Sequence, residues 1–213
     1  MPETSKDPNR LQKGRERRRE IVAMAADLFA ADGYRHASVR ELAKRVGLSQ
    51  AGVLHHFSAK EELLVEVLEL RDASVAEHLS SAPASDVRSR SREVARHAEE
   101  HPGLTSLYIA LSAEAITPDH PAHAHFVEHY RQAQVTTRPQ RDATPGSDAG
   151  ISDEMIATLG TAVMDGLLLQ RRYRDDLDVV AAVDAFWGLV SAARAPSQPP
   201  AVTAGSDSGA NPT

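Results

Sequence analysis

Apolar residues recur at helical spacing along most of the chain, and no stretch sustains the one-in-two alternation of a half-buried strand. Ile21, Ala25, Leu28 and Phe29 mark a first helix that starts near Arg15 and stops at Asp32-Gly33. Ser38 and Glu41 stand at capping-box spacing, where the hydroxyl and the carboxylate satisfy each other's orphan amides. They predict a second helix with the stripe Val39, Leu42, Ala43 and Val46, ended by Gly47, a residue able to take the left-handed conformation of a C-cap. Ser49 caps a third short helix reaching His56, and Ser58 with Glu61 repeats the capping box before a fourth that carries Leu63, Leu64, Val67 and Leu70. After a break around Pro83, residues 86–100 read as a polar helix, 104–116 as a more apolar one and 123–137 as another. Two strongly apolar helices close the pattern. One has Met155, Leu159, Ala162, Val163, Gly166 and Leu167 on one face; the other has Val179, Val183, Phe186, Trp187 and Val190.

The fold class is therefore all-α. The predicted organisation is a flexible arm over residues 1–14, a helix-turn-helix domain over 15–72, a helical bundle over 73–194 and a disordered tail over 195–213 rich in Pro, Ser, Ala and Gly. Residues 138–150, RPQRDATPGSDAG, read as a loop.

Charge changes this picture more than composition does. The formal net charge is −6, yet residues 1–60 hold 12 Lys and Arg against 7 Asp and Glu, a net of +5, and the other 153 residues hold 12 against 23, a net of −11. A basic third on an acidic body suits one end that meets phosphates, although a solvated basic face gives the same count. The chain has no cysteine, which excludes disulfides, thiolate nucleophiles and Cys-based metal sites. No apolar run approaches the length of a membrane span and the first residues lack the apolar core of an export signal, so a cytoplasmic location is expected, with no membrane partner.

Residues 39–57, VRELAKRVGLSQAGVLHHF, join two short helices through a turn at Gly47, the sequence form of a helix-turn-helix. Leu42, Ala43 and Val46 would be buried in the first helix, and Val53 and Leu54 would anchor the second. Ser49, Gln50, Ala51, Gly52 and His55 are left to face DNA. Small residues here allow close approach to the major groove, where Gln50 can pair with adenine N6 and N7 and the Ala51 methyl can meet thymine. The arginines Arg15, Arg17, Arg18 and Arg19 are candidates for backbone or minor-groove contact, or a solvated helix start.

With these pieces in order, residues from about 15 to 72 resemble the DNA-binding domain of the TetR family of regulators. The resemblance runs through ADLFAADGY (26–34), SVRELAKRVGLS (38–49), HHF (55–57) and SAKEELL (58–64). It implies phosphate contacts from Arg40 and Lys60, with Ser38 at the start of the first motif helix, a base-reading turn at Ser49 to Gly52, and Phe57 as a lock between helices. Relatives carry Tyr where this chain has Leu54; the hydroxyl contact expected there is missing, with His55 or His56 as its candidate replacement.

For the rest of the chain the resemblance extends only to architecture. It implies a homodimer on double-stranded operator DNA, the last two helices packing against their mates through Met155, Leu159, Val163, Gly166, Val183, Phe186, Trp187 and Val190. These residues could equally form intrachain core. Two recognition helices entering nearby major grooves imply a palindromic operator. An unknown small-molecule effector would enter between the middle helices, lined by Leu104, Leu107, Tyr108, Leu111, Phe126, Tyr130, Met164 and Leu168, all of which also suit a plain core. His125 and His129 stand one turn apart beside Glu128, but without a third ligand the run reads as a solvated or capping face, and neither metal nor cofactor is expected. No nucleophile elbow, phosphate loop or deaminase signature appears, so the chain is not expected to be an enzyme. The reading is a ligand-responsive repressor. An architectural DNA-binding protein without an effector, or a carrier or enzyme on a regulator-like fold, stays as the alternative.

Overall fold

The computed structural model describes residues 8–81, 86–139 and 151–194, and within them every regular element is a helix. The tail over 195–213, the break around Pro83, most of the 138–150 loop and the first seven residues of the arm lie outside the described residues. In chain order the helices are α1 (Pro8–Asp32), α2 (Val39–Arg45), α3 (Gln50–His56), α4 (Lys60–Ser81), α5 (Val87–Glu100), α6 (Pro102–Glu114), α7 (His123–Thr136), α8 (Asp153–Arg171) and α9 (Val179–Arg194).

Two boundaries differ from the sequence reading. The first helix begins at Pro8 rather than near Arg15, so the second half of the expected arm is helical. Its first turns carry exposed polar residues such as Gln12, which donates to Glu16 at 3.0 Å, and a helix without an apolar face leaves no periodicity to read. The capping partner of Ser58 is Glu62, not Glu61: the Ser58 N–H and hydroxyl both donate to Glu62, at 2.7 and 2.8 Å. Because α4 opens at Lys60, Glu62 occupies the third helical position, from which a carboxylate reaches back to the preceding turn.

Two apolar clusters hold the molecule. The first joins Ile21, Leu28 and Phe29 of α1, Leu42 of α2, Val53 and Phe57 around α3, and Leu63, Leu64, Val67 and Leu68 of α4. It continues into Leu107, Tyr108 and Leu111 of α6 and Phe126 of α7. Leu68 is buried where Leu70 was expected, since Leu70 turns outward. The second cluster joins Ala95 and Ala98 of α5, Ile156 and Leu168 of α8, and Val179, Val183 and Trp187 of α9. Helices α1 to α4 thus share one core with α6 and α7, while α5, α8 and α9 form another.

That second core corrects part of the expected interface. Val183 is 2% exposed and Trp187 3%, both packed inside their own chain. A Cβ at Gly160 would meet Trp187 Cζ2 at 2.9 Å, so the glycine makes room on α8 for the indole. Gly166, named among the expected interface residues, has open space around its Cβ position within the chain.

Candidate functional site

The turn between α2 and α3 is built by backbone chemistry. Gly47 has φ +67°, and the bonds from Gly47 N to Lys44 O (3.3 Å) and Leu48 N to Ala43 O (2.8 Å) close a Schellman end on α2. Ser38 Oγ accepts from Glu41 N at 3.1 Å and Ser49 Oγ from Gly52 N at 3.0 Å, so each short helix has a side-chain N-cap. Val53 and Phe57 are buried and anchor α3. Leu54 is not the second anchor: it is 40% exposed and lies outward. The outer surface carries Ser49, Gln50, Ala51, Leu54 and His55, all exposed, with Gly52 half-buried. The α3 N-terminus therefore presents small side chains and one amide, a surface that fits against base edges.

Arg17 and Arg18 have other work than the DNA contact offered as one reading of them. Arg17 donates to Val46 O at 2.6 Å, satisfying the carbonyl at the end of α2. Arg18 donates to His56 O, the last carbonyl of α3, and its guanidinium also binds Glu62 at 2.7 Å and Glu66 at 2.9 Å on α4. One α1 side chain thus ties the end of α3 to two successive turns of α4. The bond from Arg18, together with those from Ser58, holds the Glu62 carboxyl down at about 2. Arg15, Arg19 and Arg40 are exposed and available to phosphates. Lys60 is half-buried, its Nζ 4.4 Å from the Tyr34 ring centre and donating to Arg35 O at 3.4 Å, and burial lowers its pKa. His56 is half-buried, and burial, then His55, Arg18 and Arg17, push its pKa down. That leaves His55 as the better placed of the two for a phosphate.

A cavity of about 520 Å³ lies between α4, α5, α7 and α8, with Tyr108 of α6 also in its lining. Of the residues expected to line it, Tyr108, Met164 and Leu168 do so. Leu107, Leu111 and Phe126 are buried in the first core, and Leu104 packs against it. Helical spacing marks a residue as inward-facing without saying whether it meets a neighbour or a void. Tyr130 is partly exposed and donates to Asp165 at 3.0 Å. The polar lining from Arg71, Asp72, His129 and Asp165 was missed; charged residues inside otherwise apolar helical stripes were its only trace. Asp72 faces Arg71 (2.8 Å), His125 (3.3 Å) and His129 (3.9 Å). Burial pushes the Asp72 carboxyl up, but these neighbours outweigh it and hold it well below the usual range. Among the described residues no group of three or more His, Asp or Glu is arranged to hold a metal ion.

On α8 and α9, Met155, Leu159 and Leu189 are exposed, Val163 is half-buried, and Phe186 and Val190 are half-buried and packed against the second core.

Two short capped helices at a left-handed glycine, with a basic exposed surface on one and a cavity-bearing helical body behind, define a helix-turn-helix DNA-binding protein. The pattern describing bacterial regulatory proteins of the tetR family matches residues 21–67. The chain is 32% identical over 168 residues to the HTH-type transcriptional repressor AcnR of Corynebacterium diphtheriae, covering 76% of this chain and 84% of that one. It is 25% identical over 178 residues to the repressor KstR2 of Rhodococcus jostii, covering 82% and 78%. A putative TetR-family transcriptional regulator from a Rhodococcus species has the same fold, with TM-score 0.65, 19% identity and coverage of 84% of this chain and 98% of that one. The chain belongs to the TetR family. It is a DNA-binding transcriptional regulator and not an enzyme. Among the described residues no helix is long and apolar enough to cross a membrane.

Proposed function

We propose that the protein is a homodimeric repressor that reads a palindromic operator with α3 and releases it when a small molecule occupies the cavity between α4 and α8. The observation that carries this reading is the span of α4. Its first turn is gripped by Arg18, which also holds the end of α3, and its later residues Arg71, Asp72, Val75 and Leu79 line the cavity. A ligand that favours one placement of α4 therefore biases the placement of α3, by as much as its affinity differs between the two. In this reading Ser49 to Gly52 and His55 meet the bases or the nearest phosphates, and Arg40, Lys60 and the start of α2 at Ser38 meet the backbone. Met155, Leu159, Val163, Phe186, Val190 and Leu189 face the second copy. The repressors AcnR and KstR2 support the direction of regulation.

The test is selection of genomic fragments by the purified protein at about physiological salt, where sequence-blind phosphate binding is weak. Enrichment of an inverted repeat, bound by two copies, is the expected result. Retention that is uniform across sequences and vanishes with salt would overturn the operator reading.

A further inference from the structure

The cavity holds two carboxylates in opposite electrostatic situations. Asp72 is surrounded by Arg71, His125 and His129. Asp165, on the facing helix, is hydrogen-bonded by the Tyr130 hydroxyl at 3.0 Å and is in no direct ion pair among the described residues, with His129 and Arg71 acting on it only from a distance. The Arg71 guanidinium donates to Asp72 and lies 4.1 Å from the Tyr108 ring centre, and it makes no hydrogen bond to Asp165. With Arg71 bonded to Asp72, the Asp165 carboxyl at this end of the cavity has no directly paired cation among the described residues. Burial accordingly pushes the Asp165 carboxyl above its usual range, against the opposing effects of Tyr130, His129 and Arg71. A second observation is independent of charge. Tyr108 is 3% exposed, and its hydroxyl, near Arg71, Asp72 and Asp165, has no hydrogen-bond partner. A buried polar group without a partner costs free energy that a bound molecule's polar head would recover. Away from this end the lining mixes apolar Val75, Leu79, Val94, Met164 and Leu168 with hydroxyls such as Ser91 and Thr161 and with Arg90 on α5. The volume of about 520 Å³ is within the range of small-molecule sites.

We propose that the cavity takes a small amphiphile with a cationic ammonium head, Asp165 its counter-ion and the Tyr108 hydroxyl its hydrogen-bond partner, and with an apolar body between α4, α5 and α8. A carboxylate head at the Asp165 and Tyr108 end would instead meet Asp165 with Arg71 already bonded to Asp72, and the other arginine of the lining, Arg90, lies on α5 rather than beside Asp165. This inference rests on the ligand-responsive reading above and gives that ligand a chemical class.

The test compares three molecules of one body and different heads, 4-phenylbutylamine, 4-phenylbutanol and 5-phenylpentanoate, by titration calorimetry on the full-length protein. The expected order is amine, then alcohol, then carboxylate, with the amine ahead of the alcohol by about tenfold, as one charge-assisted bond provides. Asp165→Asn should remove the amine's advantage and leave the alcohol's affinity. Because that variant could fold poorly, the order on the unaltered protein decides by itself: equal affinities, or the carboxylate binding tightest, would overturn the proposal. The same ligands are then added to the protein on its selected DNA. Amine binding in the expected order without release of DNA would uphold the cavity chemistry and overturn the effector role. Release by another ligand, with no amine binding, would do the reverse.

Discussion

The guanidinium carbon of Arg18 stands 4.1 Å from the centre of the Phe57 ring, directly behind the end of the recognition helix. The same group binds His56 O, Glu62 and Glu66, so α3 and α4 are fixed to each other through α1. Replacement by Gln keeps much of the length and loses the charge and the fork. Arg18→Gln should lower stability by about 1–3 kcal/mol, given its partial exposure, and weaken specific binding to the selected operator. The slope of log affinity against log salt should stay as in the unaltered protein. A slope reduced by about one would show that Arg18 touches a phosphate instead.

Gln50 and Lys60 should separate in the opposite sense. Gln50 is exposed at the start of α3 and its side chain makes no hydrogen bond among the described residues, so Gln50→Ala should leave stability unchanged and cost about 1–3 kcal/mol on the operator alone. Lys60→Ala should weaken all sequences alike and flatten the salt slope by about one. Ser49→Ala differs from both, because the Ser49 hydroxyl caps α3 through Gly52 N; a stability loss of about 0.5–2 kcal/mol should accompany its loss of binding. Thermal unfolding alongside salt-dependent binding curves checks all three.

The helix-turn-helix was legible because its signals are local. Two serines three residues before a backbone amide, a glycine at a positive φ and a short apolar stripe each act within one turn of chain. The roles of Arg17 and Arg18 were not legible, since a basic run looks the same whether it faces phosphate or reaches carbonyls 29 and 38 residues away. The late helices show the same limit. Periodicity placed Leu159 and Val183 alike on apolar faces, but only the position of α5 decides that Val183 is covered by its own chain. The polar end of the cavity comes from four helices far apart in sequence, and no spacing rule links Asp72 to Asp165.

Glu62 gives a pH dependence with a definite sign. Its carboxyl lies at about 2 in the folded chain, below the ordinary 4.5, because Arg18 and Ser58 hold its charged form. A depressed acid contributes stability that is fully present above the unfolded value and is lost as pH falls through the folded one. The loss should therefore develop between pH 4.5 and about 2. Glu62→Gln removes this contribution, so its unfolding midpoint should lie below that of the unaltered protein at pH 6, and the gap should close as pH falls through that window. A gap that is constant with pH would show that the Arg18–Glu62 pair contributes no net stability.

Gly160 is under a steric constraint that substitution exposes. With Trp187 Cζ2 at 2.9 Å and Thr137 Cγ2 at 3.1 Å from a Cβ at that position, Gly160→Val should force the indole out of place and cost about 1–3 kcal/mol by overpacking. Gly166→Ala, where the Cβ position is open, should be neutral or slightly stabilising through helix propensity. Tryptophan fluorescence reports the first change directly, since Trp187 is the only tryptophan in the chain.

The two classes of apolar residue on α8 and α9 should part under charge substitution. Leu159 is exposed on the protomer surface, so Leu159→Glu adds a solvated charge and should leave helicity and unfolding cooperativity intact. If that surface faces a second copy, the charge becomes buried and unpaired on assembly, and sedimentation should show a folded monomer with weakened operator binding. Val183 lies among Ala95, Ala98 and Trp187 inside one chain, so Val183→Asp buries a charge in the protomer itself. It should cost about 3–5 kcal/mol and produce loss of fold rather than clean dissociation. Circular dichroism and sedimentation on the two variants separate interface from core. A dimer that survives Leu159→Glu unchanged would remove that residue from the interface, and a folded Val183→Asp monomer would return Val183 to it.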